Sequence, residues 1–142
     1  MSETVGGDLA ALVRRRAGDR CEYCRMHQAL QGATFHLEHV RPRSRGGATD
    51  AANLALACPS CNLRKSDRLT VPDPATGRLV PLFHPRRQAW ADHLAWDGLS
   101  LLGRTAVGRA AVAALDLNND RRRQIRGAEA LFALHPPPGG GE

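Results

Sequence analysis

The chain has 142 residues, enough for one ordinary domain or one compact core with a helical extension, and too few for a large two-lobed enzyme. Its net charge of +6 and pI near 10.1 give a positive field that attracts polyanions such as nucleic acid. No run approaches the roughly 18 apolar residues that span a bilayer, and the opening MSETVGGDLAALVRRR lacks the apolar stretch of an export signal, so a cytoplasmic location is expected.

Of the 20 basic side chains only Lys65 is a lysine. Two readings of that bias stay open: guanidinium forks chosen to match phosphate oxygens, or a general codon bias toward Arg, Ala, Gly and Pro. In chain order, Asp8 to Ala17 places Leu9, Leu12 and Val13 on one helical face with arginines opposite, and Gly18 supplies a stop. After Cys21-Glu22-Tyr23-Cys24 comes a brief helix or turn closed by Gly32. Ala33 to Val40 alternates in the manner of a strand that Pro42 terminates. The stretch RPRSRGGATDAAN is a loop by composition, and Asn53 to Leu56 returns as a second strand, which makes a hairpin with a long connection. Beyond Cys58-Pro59-Ser60-Cys61 the run NLRKSDR suits a helix that begins at the knuckle. From there VPDPATGRLVP reads as a turn-rich hairpin, and Asp97-Gly98 joins Leu94–Trp96 to Leu99–Leu102 in a tight one. A helix follows through Ala114, and Asn119 or Asp120 caps another over Arg121 to Leu134, ahead of a disordered tail, HPPPGGGE. The resulting division is an N-terminal helix (1–20), a core (21–68), a C-terminal extension (69–134) and the tail (135–142).

Two CxxC pairs, Cys21/Cys24 and Cys58/Cys61, lie 33 residues apart. In a reducing compartment such pairs supply four thiolates in a tetrahedron, the closed coordination of structural zinc. The spacing exceeds the roughly 15–20 residues common between such pairs, so the intervening hairpin must fold back to unite them. A closed site leaves no position for water, and catalysis must rest on other residues.

Between and after the pairs stand Glu38-His39-Val40-Arg41-Pro42-Arg43-Ser44-Arg45-Gly46-Gly47, then Asn53-Leu54, then Cys61-Asn62-Leu63-Arg64-Lys65. This order of an acid plus His, a Pro-x-Ser-x-Gly-Gly loop, Asn-Leu and a CxxCN-x-x-K exit resembles the HNH motif of the ββα-metal nucleases. HPRRQAW, the WDG turn and GRTAVGRAAV extend the resemblance to the C-terminal part of small stand-alone HNH proteins. The resemblance implies an α+β, ββα-metal (His-Me finger) core with a structural zinc and a C-terminal hairpin and helical extension. It further implies an endonuclease that hydrolyses DNA phosphodiesters with one catalytic divalent ion, leaving 5′-phosphate and 3′-hydroxyl ends. Asn62 stands where the literal motif has His, and Glu38 where Asp is commoner.

The resemblance and the chemistry together assign the roles. A histidine, with an ordinary pKa of about 6.5, suits deprotonation of the attacking water, and His39 takes that part. A carboxylate and an amide oxygen suit a hard ion such as Mg²⁺ or Mn²⁺, and these are Glu38 and Asn62. Neighbours on an ideal strand face opposite ways, so Glu38 and His39 share one site only if the strand distorts ahead of Pro42. Asn53 is expected to bind loop backbone and hold His39 in orientation. His36 reads as a bystander. Arg41, Arg43, Arg45, Arg64 and Lys65 are candidates for phosphate contacts on DNA, expected to be double-stranded, and Arg121, Arg122, Arg123 and Arg126 either extend that track or cover a helix. The competing readings are a non-catalytic, zinc-stabilised nucleic-acid-binding module and the same nuclease acting on RNA.

Overall fold

The structure, a computed structural model, describes residues 5–138. The four glycine-rich residues that end the predicted tail lie outside the described residues. The chain divides into two compact units, Met1–Asp67 and Arg68–Glu142.

In the first unit, α1 (Gly7–Ala17) ends on Gly18, whose left-handed φ of 62° lets its N–H reach back to the carbonyls of the last turn. Its buried face is Val13, and α1 packs on β2 (Leu54–Ala57). Two of its arginines are tied to backbone rather than held in solvent. Arg14 donates to the Phe35 carbonyl at 3.2 Å, and Arg16 donates to that of Leu54. β1 (His36–His39) pairs antiparallel with β2 in a register running from His36 opposite Ala57 to His39 opposite Leu54. Leu54, Ala55, Leu56 and Ala57 are all buried, which suits a strand covered on both faces. α2 (Pro59–Lys65) follows directly and packs against β1. It starts three residues before the predicted Asn62, because Pro59 is preorganised for the first turn and the Cys58 thiol accepts from the Cys61 N–H.

The second unit opens with a hairpin of β3 (Thr70–Pro72) and β4 (Leu79–Pro81). A short helix, α3 (Trp90–His93), leads into a second hairpin of β5 (Leu94–Asp97) and β6 (Ser100–Gly103), turned at Gly98 with φ 62°. α4 (Ala106–Ala114) is capped by Thr105, and α5 (Asp120–Leu131) by Asn119, which accepts from the Arg122 N–H. Asn118 bonds both the N–H and the carbonyl of Leu101, giving β6 an amide partner where no strand lies. Arg122 and Arg126 are buried. Arg126 donates to the Leu99 and Leu117 carbonyls and lies over the Trp96 ring, and Arg122 donates to Leu115, so these two arginines bind this unit's own backbone. No helix is long and apolar enough to cross a membrane among the described residues.

The turn between β3 and β4 is built on Asp73. Its fully buried carboxylate accepts from the Ala75 N–H and takes a two-pronged fork from Arg109 of α4, at 3.0 and 2.8 Å. The Arg109 hydrogen bonds, helped by the Ala75 N–H, hold its carboxyl down at about 2. A depressed folded pKa stabilises the charged form. The contribution is therefore present above an unfolded value of about 3.9 and is lost as pH falls toward about 2. Asp73→Asn is expected to lower the thermal midpoint at neutral pH, with the difference from wild type shrinking between about pH 4 and pH 2. A gap that persists undiminished at pH 2 would refute the assignment.

Candidate metal centre and active site

The first knuckle is a tight turn. Cys21 N–H donates to the Met26 carbonyl at 3.0 Å and Arg25 N–H returns to the Cys21 carbonyl at 2.8 Å, with Arg25 at φ 66°. Glu22 fastens it to β2: its N–H donates to the Leu56 carbonyl at 2.8 Å, and its carboxylate accepts from the Leu56 N–H at 2.9 Å. β2 then runs straight into Cys58. One strand thus carries both knuckles to the same place.

All four cysteines are buried, with their sulfurs within 4.8 Å of one another and Cys24 Sγ 3.8 Å from Cys58 Sγ. A tetrahedral zinc with Zn–S bonds of about 2.3 Å has sulfur–sulfur edges of about 3.8 Å, so the donor set fits that ion. Burial by itself pushes the Cys21 and Cys61 thiols well above their ordinary value. Four thiolates in so small a volume require a cation among them.

Glu38 sits on β1 with 7% of its surface exposed. Its Oε1 accepts from the Tyr23 hydroxyl at 2.6 Å, and its Oε2 lies 3.1 Å from Lys65 Nζ, the last residue of α2. Burial holds the Glu38 carboxyl above the ordinary carboxylate range, opposed by the charge of Lys65 and the Tyr23 hydroxyl. Burial also pushes the Tyr23 hydroxyl well up, with the Glu38 charge adding to it, so it remains a donor. Lys65 is 2% exposed, so its ammonium lies inside the unit and not among the surface cations.

His39 is half-buried, and its Nε2 is 2.7 Å from Thr49 Oγ1. The β1–β2 register continues evenly through Glu38 and His39, and Val40 N–H still bonds the Asn53 carbonyl at 2.8 Å. The expected distortion ahead of Pro42 is not there, and alternation sends the two side chains toward opposite faces. His36, exposed, shares the alternation of Glu38.

Asn53 closes the loop between the strands. Its Oδ1 accepts from Arg41 N–H at 2.8 Å, and its Nδ2 donates to the carbonyls of Arg41 and Ala48 at 3.0 and 2.7 Å. The two loop glycines serve different ends. Gly46 takes a left-handed φ of 83°. Gly47 has no room for a side chain: a Cβ there would lie 1.8 Å from the Arg41 carbonyl oxygen and 2.9 Å from Asn53 Nδ2. Gly47→Ala is expected to cost about 1–3 kcal/mol by forcing that overlap apart. Gly46→Ala, with open space around its Cβ, meets only the backbone penalty of about 1–2 kcal/mol. Denaturant midpoints measure both, and loss of the Asn53 contacts in an amide-exchange profile should follow the first alone.

Asn62 is half-buried in the first turns of α2, three residues before Lys65 and so on the same helical face. Its side-chain amide has no hydrogen-bond partner among the described residues. Arg41, Arg43, Arg45 and Arg64 are exposed. Arg41 Nε donates to the Arg45 carbonyl, and Arg45 to that of Asp67, which stiffens the loop.

Residues 21–68 match the HNH endonuclease family. The match covers both knuckles, the β1–β2 hairpin and α2, and it supports nuclease activity and metal binding at the level of the family. No curated protein and no solved structure matches the chain. Within this HNH segment the sequence reading missed Tyr23, Thr49 and Glu22. None of the three carried a signal in the sequence, because a tyrosine inside a knuckle is obliged to find an acceptor for its hydroxyl only once it is buried.

Proposed function

We propose that the HNH segment is the catalytic core of an endonuclease of ββα-metal type, hydrolysing DNA phosphodiester bonds with one divalent ion, Mg²⁺ or Mn²⁺. The observation that carries the reading is a half-exposed histidine, His39, hydrogen-bonded through Nε2 to Thr49 in a segment that matches the HNH endonuclease family. Glu38 and Asn62 would hold the ion. In support, Glu38 Oε2 is buried beside the Lys65 ammonium at 3.1 Å with no well-aligned hydrogen bond, the Asn62 amide has no hydrogen-bond partner among the described residues, and carboxylate plus amide oxygen is a hard donor set. Because the even strand sends Glu38 and His39 to opposite faces, the end of β1 would have to twist for both to act on one phosphate. When bound, such an ion supplies charge neutralisation at the phosphorus oxygens and the leaving oxygen.

The protein's own residues do the rest. His39 accepts the proton of the attacking water, with Thr49 fixing the ring. Asn53 holds the 40–53 loop, and therefore the strand end that carries His39. Arg41, Arg43, Arg45 and Arg64 contact phosphates, which sets register without reading bases. The four cysteines hold zinc, fixing where α2, and with it Asn62, begins.

Plasmid incubated with Mg²⁺ or Mn²⁺ is expected to be nicked or linearised, with activity falling as salt rises. An RNA of matched length should be cut more slowly. The occupation of Glu38 by Lys65 favours one competitor, a non-catalytic zinc-stabilised module that binds nucleic acid. It predicts salt-dependent binding with no metal-dependent cleavage, and that result would overturn the enzyme reading.

A further inference from the structure

Glu38 and Lys65 are an acid and a base taken almost wholly out of water, at 7% and 2% exposure. Desolvating two charges is costly, and a pair so placed persists only because each neutralises the other. The pairing is nevertheless incomplete. Oε2 and Nζ are 3.1 Å apart, yet neither has a well-aligned hydrogen bond among the described residues. Oε1 is fixed by Tyr23 at 2.6 Å, so the carboxylate keeps its orientation whatever faces Oε2.

Resting on the function proposed above, we propose that Lys65 is the resident counter-ion of Glu38, and that its ammonium and a divalent cation are alternative occupants of the same carboxylate oxygen. An ammonium and a divalent ion cannot both sit against Oε2, because their mutual repulsion in a poorly hydrated site exceeds what one carboxylate charge offsets. Lys65 sits where its helix ends. It is the last residue of α2, Ser66 at φ 51° breaks the helix immediately after it, and on displacement its four-carbon stem would carry the ammonium away from Oε2. While the ion is absent, the lysine spares the fold an unpaired buried carboxylate. Once displaced, it adds a cation to the helix that carries the exposed Arg64. Tyr23, on the first knuckle, links the cysteine frame to the orientation of that carboxylate.

The test uses the full chain and Mn²⁺, titrated by loss of the free-ion electron paramagnetic resonance signal, in wild type, Lys65→Met and Glu38→Gln. Lys65→Met is expected to bind Mn²⁺ about tenfold or more tightly, because a competing positive charge is gone. It should also gain more in thermal midpoint from Mn²⁺ than wild type does, since the ion then supplies the missing counter-charge. Glu38→Gln should abolish this binding. Lys65→Met binding no more tightly than wild type, with Glu38→Gln still abolishing binding, would sink the exchange while leaving the metal site intact. Indifference to Glu38→Gln would remove the metal site itself, and the exchange with it. Should Lys65→Met fail to fold, wild type suffices. Lys65 is the sole lysine in the sequence, so a single side-chain ammonium resonance, protected from water exchange, is expected to lose that protection when Mg²⁺ is added. A resonance still protected at saturating Mg²⁺ would overturn the proposal.

Discussion

Replacing Cys61 with serine is expected to empty the four-sulfur site and unfold the first unit. The sulfur it removes belongs to a fully buried set of four. Zinc held by four thiolates contributes on the order of 10–16 kcal/mol in zinc-finger peptides at neutral pH, comparable to the whole stability of a small domain. Little in this unit replaces it. Its regular structure is one helix with a narrow buried face, a hairpin of two four-residue strands and a seven-residue helix, with Tyr23, Met26, Phe35 and Val40 adding to the buried set. The second unit has its own buried set, including Phe83, Trp90, Leu94, Leu101, Leu115 and Leu117. Amide hydrogen exchange on the variant, or on wild type treated with a strong zinc chelator, should therefore show residues 5–67 unprotected and the helices of 68–138 still protected. Native mass spectrometry should report the loss of one zinc. Protection of 5–67 that survives metal removal would mean the sulfurs are a packed core and not a metal frame.

His39→Ala is expected to cost about 10²–10⁴-fold in the cleavage rate, the range ascribed to a positioned general base, with little change in stability. The ring is half-exposed, and its Nε2 meets a loop hydroxyl rather than the apolar core, so the fold is expected to tolerate its truncation. Thr49→Val should cost less than His39→Ala, because it removes the ring's orienting partner and leaves the base. Single-turnover cleavage of a supercoiled plasmid at saturating Mn²⁺ separates the two, with thermal midpoints as the control for folding. If His39→Ala cuts as fast as wild type, the base lies elsewhere.

Local signals in the sequence located most elements. Gly18 ends α1, Asn119 caps α5, Asp97-Gly98 turns the β5–β6 hairpin, and the paired CxxC spacing predicts the four sulfurs that the structure gathers. These are short-range effects, carried by residues next to the feature they cause. What the sequence hid is long-range. The partners of Glu38 lie 15 residues upstream and at the far end of α2, and nothing in the spelling of CEYC or NLRK distinguishes a buried tyrosine and lysine from exposed ones. Lys65 reads as one more surface cation until the helix is placed against β1. Arg122 and Arg126 read likewise as part of a basic track, yet they are buried against backbone carbonyls, a use of guanidinium that periodicity does not reveal. The even strand through Glu38 and His39 was equally hidden, since register is set by pairing with Ala55 and Leu54 and not by Pro42.

The clamp between Glu22 and Leu56 has a consequence for solubility. β2 is LALA, four consecutive buried apolar residues, and a strand of that kind with an open edge is a template for pairing with another chain. Here the edge away from β1 is closed: Glu22 takes both polar groups of Leu56, the carbonyl with its backbone N–H and the N–H with its carboxylate, and the Arg16 side chain takes the Leu54 carbonyl. Glu22 is held there by the cysteines on either side of it. Loosening the first knuckle would therefore uncover an apolar strand edge while the hairpin is still partly formed, and aggregation, rather than simple unfolding, is the fate to expect of protein handled without its metal.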